Sequence, residues 1–196
     1  MVTKDFLTTN INKGRMVLEE PRSFYKSAKK EKLLSESLIY FALLSLIGSV
    51  FSVIYSLIFY PTLSKIASNL FPPAPSVGFI EILPYAVTSY AVALVLSFVW
   101  AGVLYLWLSL FKAKGTYKDA FRLYVYSRTP NFLFGWIPFV SIAAWIYGLY
   151  LLIVGTEVMY SVPRRKAMLL FVAPLVLFVV LFAILGYFYG TGRVNG

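Results

Sequence analysis

An all-α polytopic membrane bundle of five transmembrane helices is the fold class that three observations predict. Hydrophobic residues make up 60% of the 196-residue chain and charged residues 13%, against roughly 45–50% and 25% in soluble proteins. A chain of this size cannot cover so much apolar surface with polar groups. Long uncharged stretches recur, each near or above the roughly 20 residues that cross the hydrocarbon core. The third observation is charge placement: 18 Lys and Arg against 8 Asp and Glu give a formal +10, and the basic residues fall between the apolar stretches.

Residues 1–37 contain no apolar run of signal-peptide length, only pieces such as Phe6-Leu7 and Met16-Val17-Leu18. They carry Arg15, Arg22, Lys26, Lys29, Lys30 and Lys32 around Leu18, Phe24 and Tyr25. Pro21 suits the first turn of a helix. Such a helix would be amphipathic and rest on an anionic leaflet, at about 1 kcal/mol per basic residue. A plain positively charged anchor for the first span explains the same residues.

The first span is expected over Leu38–Tyr60, stopped by Pro61. The loop that follows contains Phe71-Pro72-Pro73-Ala74-Pro75, a stiff extended stretch, preceded by an Ile66–Phe71 piece suited to the interface. The second span, Ile82–Phe111, has 30 uncharged residues and needs tilt or interfacial ends at Tyr85 and Trp107. Lys118 to Tyr160 comprises 43 residues, room for two crossings of about 20, divided at Gly135-Trp136-Ile137-Pro138. The fourth, Phe139–Tyr160, is convincing. The third, Asp119–Trp136, carries Arg122, Ser127, Arg128, Thr129, Pro130 and Asn131, and its composition alone also allows a re-entrant or interfacial helix. The fifth, Ala167–Tyr189, has Pro174 as a kink, and 191–196 form a short tail.

Charge placement favours the five crossings. With the N-terminus inside, the inner segments 1–37, 112–118 and 161–166 hold 8, 3 and 3 Lys and Arg. If the third stretch did not cross, Arg164, Arg165 and Lys166 would face outward, against the positive-inside rule. The N-terminus is thus expected inside and the C-terminus outside.

Small residues recur at helical spacing: Ala42, Ser45, Ser49, Ser52 and Ser56 in the first span, Ala86, Ser89, Ala93, Ser97 and Ala101 in the second. Ser141, Ala144, Gly148 and Gly155 continue the pattern in the fourth. Such faces let helices approach closely in lipid; a serine-lined pore is the other reading. Gly186 and Gly190 match GxxxG, a weak dimerisation signal.

The third stretch holds the main candidate site. Tyr124, Ser127, Arg128 and Asn131 fall at i, i+3, i+4 and i+7, on one helical face, which should avoid hydrocarbon. Glu157 is the only acidic residue within a strongly apolar span. Depth counted along the helices pairs Arg128 with Glu157, with Arg122 as the rival partner. The pair would either brace the third helix against the fourth or bind a lipid headgroup or gate a path.

No histidine or cysteine is present. Zinc sites of the His/Cys kind, thiol catalysis, disulfides and a Ser-His-Asp triad are therefore excluded. The carboxylates form no spaced acid–base pair, and Lys112-Ala113-Lys114-Gly115-Thr116 is no phosphate-binding glycine loop. Neither an enzyme nor a cofactor is expected.

Several segments in order carry a family resemblance: Val17-Leu18-Glu19-Glu20-Pro21-Arg22-Ser23-Phe24, then Lys114-Gly115-Thr116-Tyr117-Lys118-Asp119-Ala120-Phe121-Arg122, then Tyr126-Ser127-Arg128-Thr129-Pro130. Ile137-Pro138, Trp145, Tyr147-Gly148, Glu157 and Arg165-Lys166-Ala167 follow. In order and spacing the chain resembles the Yip family, the Ypt/Rab-interacting membrane proteins, from about Val17 to Phe182. The resemblance implies five transmembrane helices with a cytosolic N-terminus. Eukaryotic members act in Golgi and endoplasmic-reticulum vesicle traffic and bind prenylated Rab-type GTPases and one another. The Asp-Leu-Tyr-Gly-Pro-like motif of their longer cytosolic region has no counterpart here. The compact form is similar to prokaryotic members, so the resemblance implies the fold and a cell-membrane setting rather than the GTPase partner.

The expected function is a non-enzymatic Yip-type scaffold or adaptor. Its partners would be the bilayer and its anionic lipids, met by Arg22, Lys26, Lys29, Lys30, Lys32, Arg164, Arg165 and Lys166, and other copies or proteins met by small-residue faces. Nucleic acid is not expected, since the charge tracks topology. A small transporter or channel subunit, with a polar path along the third and fourth helices, is the alternative.

Overall fold

The computed structural model describes residues 2–31, 33–67 and 79–192. Eight helices run in order: α1 Val2–Glu19, α2 Pro21–Ala28, α3 Leu34–Ala67, α4 Phe79–Leu110, α5 Tyr117–Ser127, α6 Thr129–Phe134, α7 Val140–Met159 and α8 Arg164–Gly192. No strand occurs among the described residues. Lys32, the Phe71–Pro75 stretch and Arg193 lie outside them, as do the side chains of the GxxxG glycine pair.

Among the described residues four helices are long and apolar enough to cross a membrane: Leu34–Phe59, Ile82–Leu110, Val140–Met159 and Arg164–Leu185. The expectation of five is therefore corrected. The Asp119–Trp136 stretch is two short helices, α5 of 11 residues and α6 of 6, about 17 and 9 Å long against a core of about 30 Å. The break lies at Arg128 and has a local cause. Pro130 has no N–H to offer the Tyr126 carbonyl, and Thr129 Oγ1 donates to that carbonyl at 2.8 Å instead. Ser127 Oγ likewise donates to the Tyr124 carbonyl at 2.8 Å. The α5 start is fixed by a capping box, in which Asp119 N–H donates to Thr116 Oγ1 and Thr116 N–H to Asp119 Oδ2.

Pro61 does not end the first span: α3 continues to Ala67, as membrane helices tolerate proline where neighbours re-satisfy the backbone. Pro174 likewise sits inside α8. The divider before α7 is real. Phe139 takes a left-handed φ of 65° there, and Pro138 precedes it.

The broken pair α5–α6 forms the centre of the bundle. It packs against α3 and α7 along its length, with α4 on α5, α2 on α7 and α8 on α7. Phe121, Leu123, Val125 and Tyr126 are fully buried. Ring contacts tie the layers: Phe98 stacks on Phe121 at 4.9 Å, and Phe41 meets Phe132 edge-on at 5.2 Å. By contrast α8 is exposed over most of its length, with Leu169, Leu177, Phe178 and Phe182 on the outside. Such a surface suits lipid and would not stay in water.

Three basic segments meet at one end. Lys166 Nζ donates to the Phe111 carbonyl at 2.8 Å, Tyr160 OH to the Thr116 carbonyl at 3.2 Å, and Arg122 Nη2 to the Glu31 carbonyl at 2.6 Å. The segments grouped by charge placement are neighbours in space.

Two glycines sit where neighbouring elements leave no room for a side chain. A Cβ on Gly155 would overlap Leu123 Cδ1 and lie 2.8 Å from Tyr25 Cζ, and one on Gly48 would lie 2.8 Å from the Phe132 carbonyl oxygen. Gly48→Leu and Gly155→Leu should each destabilise the purified protein by about 1–3 kcal/mol. Thermal unfolding in detergent checks this, with the exposed Val179→Leu unchanged as control.

Candidate functional site

The segment between α2 and α3 carries one acidic residue, Glu31, in a run of lysines. Its side chain is only 11% exposed. Tyr126 OH donates to both carboxylate oxygens at 2.9 Å, and Lys13 Nζ to Oε1 at 2.8 Å. Arg122, buried on α5, gives Nη2 to the Glu31 carbonyl and holds Nε 3.7 Å from the carboxylate. Its Nη1 lies 3.5 Å from Asp119 Oδ1. The hub thus joins α1, the α2–α3 turn and α5. Phe24 from α2 and Tyr40 from α3 pack on the Tyr126 ring at 4.7 and 5.2 Å, and Tyr40 OH bonds Thr129 Oγ1 at 2.9 Å. Burial, reinforced by the Glu31 charge, pushes the Tyr126 hydroxyl well up, so it remains a donor at physiological pH.

The expected Arg128–Glu157 pair does not form, nor does Arg122–Glu157. Glu157 accepts from Arg22 Nη2 at 2.7 and 2.9 Å, across the face where α2 lies on α7. Depth counted along straight helices put Glu157 near the arginines, but α5 is occupied by Glu31 and α2 brings its own arginine to α7. This pair is wetter, with Arg22 55% and Glu157 23% exposed.

The predicted stripe is brought together only in part. Tyr124, Ser127, Arg128 and Asn131 share one side, with the Arg128 guanidinium 5.2 Å from the Tyr124 ring centroid. Ser127, Arg128 and Asn131 line a hollow of about 90 Å³ with Trp145, Gly148 and Leu152. Among the described residues no carboxylate lies within ion-pair range of Arg128. Asn131 and Trp145 also border a larger cleft of about 510 Å³ between α3, α4, α6 and α7. Ser49, Ser52, Ser56 and Ser89 line it, so these small residues face a hollow, whereas Ser45, Ser97, Ala101 and Ala144 are buried in helix contacts. Phe132, which lines that cleft, packs edge-on against the buried Phe41 ring.

Of the expected surface cations, Arg22, Lys26, Lys29, Lys30, Arg164, Arg165 and Lys166 are exposed, with Arg22 and Lys166 also bonded as above. Glu31, Tyr126 and Lys13 were missed. The signal available was a lone glutamate among lysines, facing a tyrosine one helical turn beyond Arg122. Among the described residues no group of three His, Cys, Asp or Glu side chains could hold a metal.

The family model described as the Yip1 domain matches residues 16–185. The chain belongs to the Yip1 family. It is a multi-pass integral membrane protein. No curated protein and no solved structure matches it. The Yip1 match includes α2 and the Glu31 turn as well as the bundle, while most of α1, with Lys13, precedes the matched residues.

Removing one partner of a buried pair leaves the other uncompensated. Glu31→Ala should therefore cost about 3 kcal/mol, against less than about 1 kcal/mol for Arg22→Ala at the exposed pair. Thermal unfolding measures both, and Glu31→Ala alone should speed proteolysis between Glu20 and Leu33.

Proposed function

We propose that this Yip1-family protein is a membrane scaffold without catalytic chemistry, offering a rigid basic platform to anionic membrane surfaces and protein partners. The observation that carries this reading is the docked N-terminus. Glu31 locks α1 and α2 onto the bundle through Tyr126, Lys13 and Arg122, while Lys26, Lys29 and Lys30 stay exposed. Arg164 and Arg165 lie at the same end and are also free to solvent. A flexible basic tail would lose entropy on binding, and a fixed one does not.

The basic end is assigned to the cytosolic side by the positive-inside rule. Both α3 and α8 start at that end, so this reading takes the far end of α8 to face the other side. The non-enzymatic reading is supported by the three carboxylates nearest the bundle interior among the described residues: Glu31, Asp119 and Glu157 are each engaged by an arginine, which suits them poorly to proton transfer.

A small transporter is the second reading, favoured by the cleft beside α6. It is ranked second because Arg128, the cation nearest the cleft, has no carboxylate partner among the described residues with which to form a relay.

Two measurements separate them. A photo-crosslinker at exposed Ser23 or Lys26 should yield discrete protein or anionic-lipid adducts in intact membranes. Proteoliposomes should show ion and small-anion flux no faster than protein-free vesicles. Saturable flux lost in Ser49→Trp, with no discrete adducts, would establish the transporter instead.

A further inference from the structure

We propose that Arg128 and the adjoining cleft hold one anionic phospholipid, with its phosphate on the guanidinium and an acyl chain laid between α3 and α4. This site is independent of the scaffold reading and is tested separately.

The argument starts from an unbalanced charge. Arg122, six residues earlier on α5, has Asp119 and Glu31 for company. Arg128 has only the face of Tyr124, and no carboxylate reaches it among the described residues. A cation inside a membrane bundle is costly unless paired or wet. Arg128 lies about 9 Å beyond Arg122 along the helix axis, hence about that far below the end of the bundle where Glu31 sits. That depth is within reach of a headgroup phosphate, since an arginine at this position can extend toward the surface. Guanidinium and phosphate then meet in a two-pronged, charge-assisted contact.

The second element is the adjoining space. The hollow around Arg128 and the 510 Å³ cleft share Asn131 and Trp145. Trp145 is 46% exposed, so the two spaces adjoin at an outward-facing ring. Asn131 offers amide donors at the junction. The Trp145 indole N–H, unpartnered among the described residues, offers another.

The cleft walls suit hydrocarbon more than a solute. Of the five serines lining the cleft, Ser56 donates its Oγ to the Ser52 carbonyl at 2.8 Å and Ser89 to the Ala86 carbonyl at 3.0 Å, so those two hydroxyls are spent on their own helices, and Ser49, Ser52 and Ser141 present small side chains between the rings. Phe132, Trp136 and Tyr85 supply the remaining apolar wall. From Gly48 to Ser56 the groove runs about 12 Å, continuing away from Arg128 in the direction an acyl chain would take. Charge at one end and a greasy slot leading from it match a single anionic amphiphile.

The full-length protein in phosphatidylcholine nanodiscs, doped with phosphatidylglycerol carrying a diazirine in its acyl chain, tests the site. After illumination, peptide mapping should find adducts concentrated on 49–56 and 82–89 relative to the exposed α8 face, which reports bulk lipid. Arg128→Gln should lower that ratio by about fivefold or more, Arg128→Lys should largely preserve it, and Ser52→Trp should lower it by filling the slot. Diazirine phosphatidylcholine should give the bulk ratio even with wild-type protein. An equal ratio for the two lipids, or an unchanged ratio in both Arg128→Gln and Ser52→Trp, overturns the proposal. Displacement of the label by excess glycerol 3-phosphate or inorganic phosphate would assign Arg128 to a free anion and also overturn it. Should Arg128→Gln not fold, Ser52→Trp and the lipid comparison decide alone.

Discussion

The carboxylate of Glu31 is the contact on which the rest of the basic end depends. Burying a single carboxylate is unfavourable, and here Lys13, Tyr126 and Ser37 donate to it with the Arg122 guanidinium 3.7 Å away. Their combined hydrogen bonds offset the desolvation that a lone ion pair often fails to recover. The arrangement has consequences along the chain. Arg122 can stay buried on α5 only because Glu31 and Asp119 face it. Once Arg122 is so engaged, Glu157 is left to Arg22, which seats α2 on α7. Arg128, one turn and a half further, is then the arginine without an acid.

The α5–α6 break follows from a rule that membranes enforce strictly. Every backbone polar group away from water needs an internal partner. Pro130 removes one donor, and two hydroxyls, from Ser127 and Thr129, take over neighbouring carbonyls. The stretch is held as two short helices inside a ring of longer ones, where side chains rather than lipid surround the exposed carbonyls. Six residues apart on one helical path, Arg122 and Arg128 point about 120° away from each other around the axis, so Arg122 meets the N-terminal segment while Arg128 meets Asn131 and Trp145.

Much of the fold was legible because hydropathy and length are local properties. The long apolar runs became α3, α4, α7 and α8 with ends close to those expected, and the Gly135–Pro138 divider became the turn before α7. The ion pairs were not legible, because they depend on depth and facing, which are collective. Counting 1.5 Å per residue along ideal rods set Arg128 level with Glu157. The real bundle lets the 1–31 segment fold back as α1 and α2 and insert its own charges between those rods. That segment had been read as a surface feature, so its one buried acid was overlooked. The small-residue stripes show the same division. Ser45 and Ser97 are packed as spacing suggested, while Ser49, Ser52 and Ser56, one, two and three turns beyond Ser45, face a cleft, because α6 ends near Gly135 before it can fill that level.

The same geometry gives the formal +10 a mechanical sense. Lys26 on α2 and Lys29 and Lys30 in the turn after it are near one another on a segment that Glu31 ties down at its end. Like charges held at fixed separation repel more than charges on a free tail, which can spread apart. The repulsion is stored in the folded state and is relieved by any anionic surface brought to that end. The strength of that relief falls with added salt, since the exposed lysines are screened over about 8–10 Å, whereas the buried Glu31 cluster holding them in place is screened far less. Ionic strength should therefore weaken what the platform binds before it loosens the platform itself.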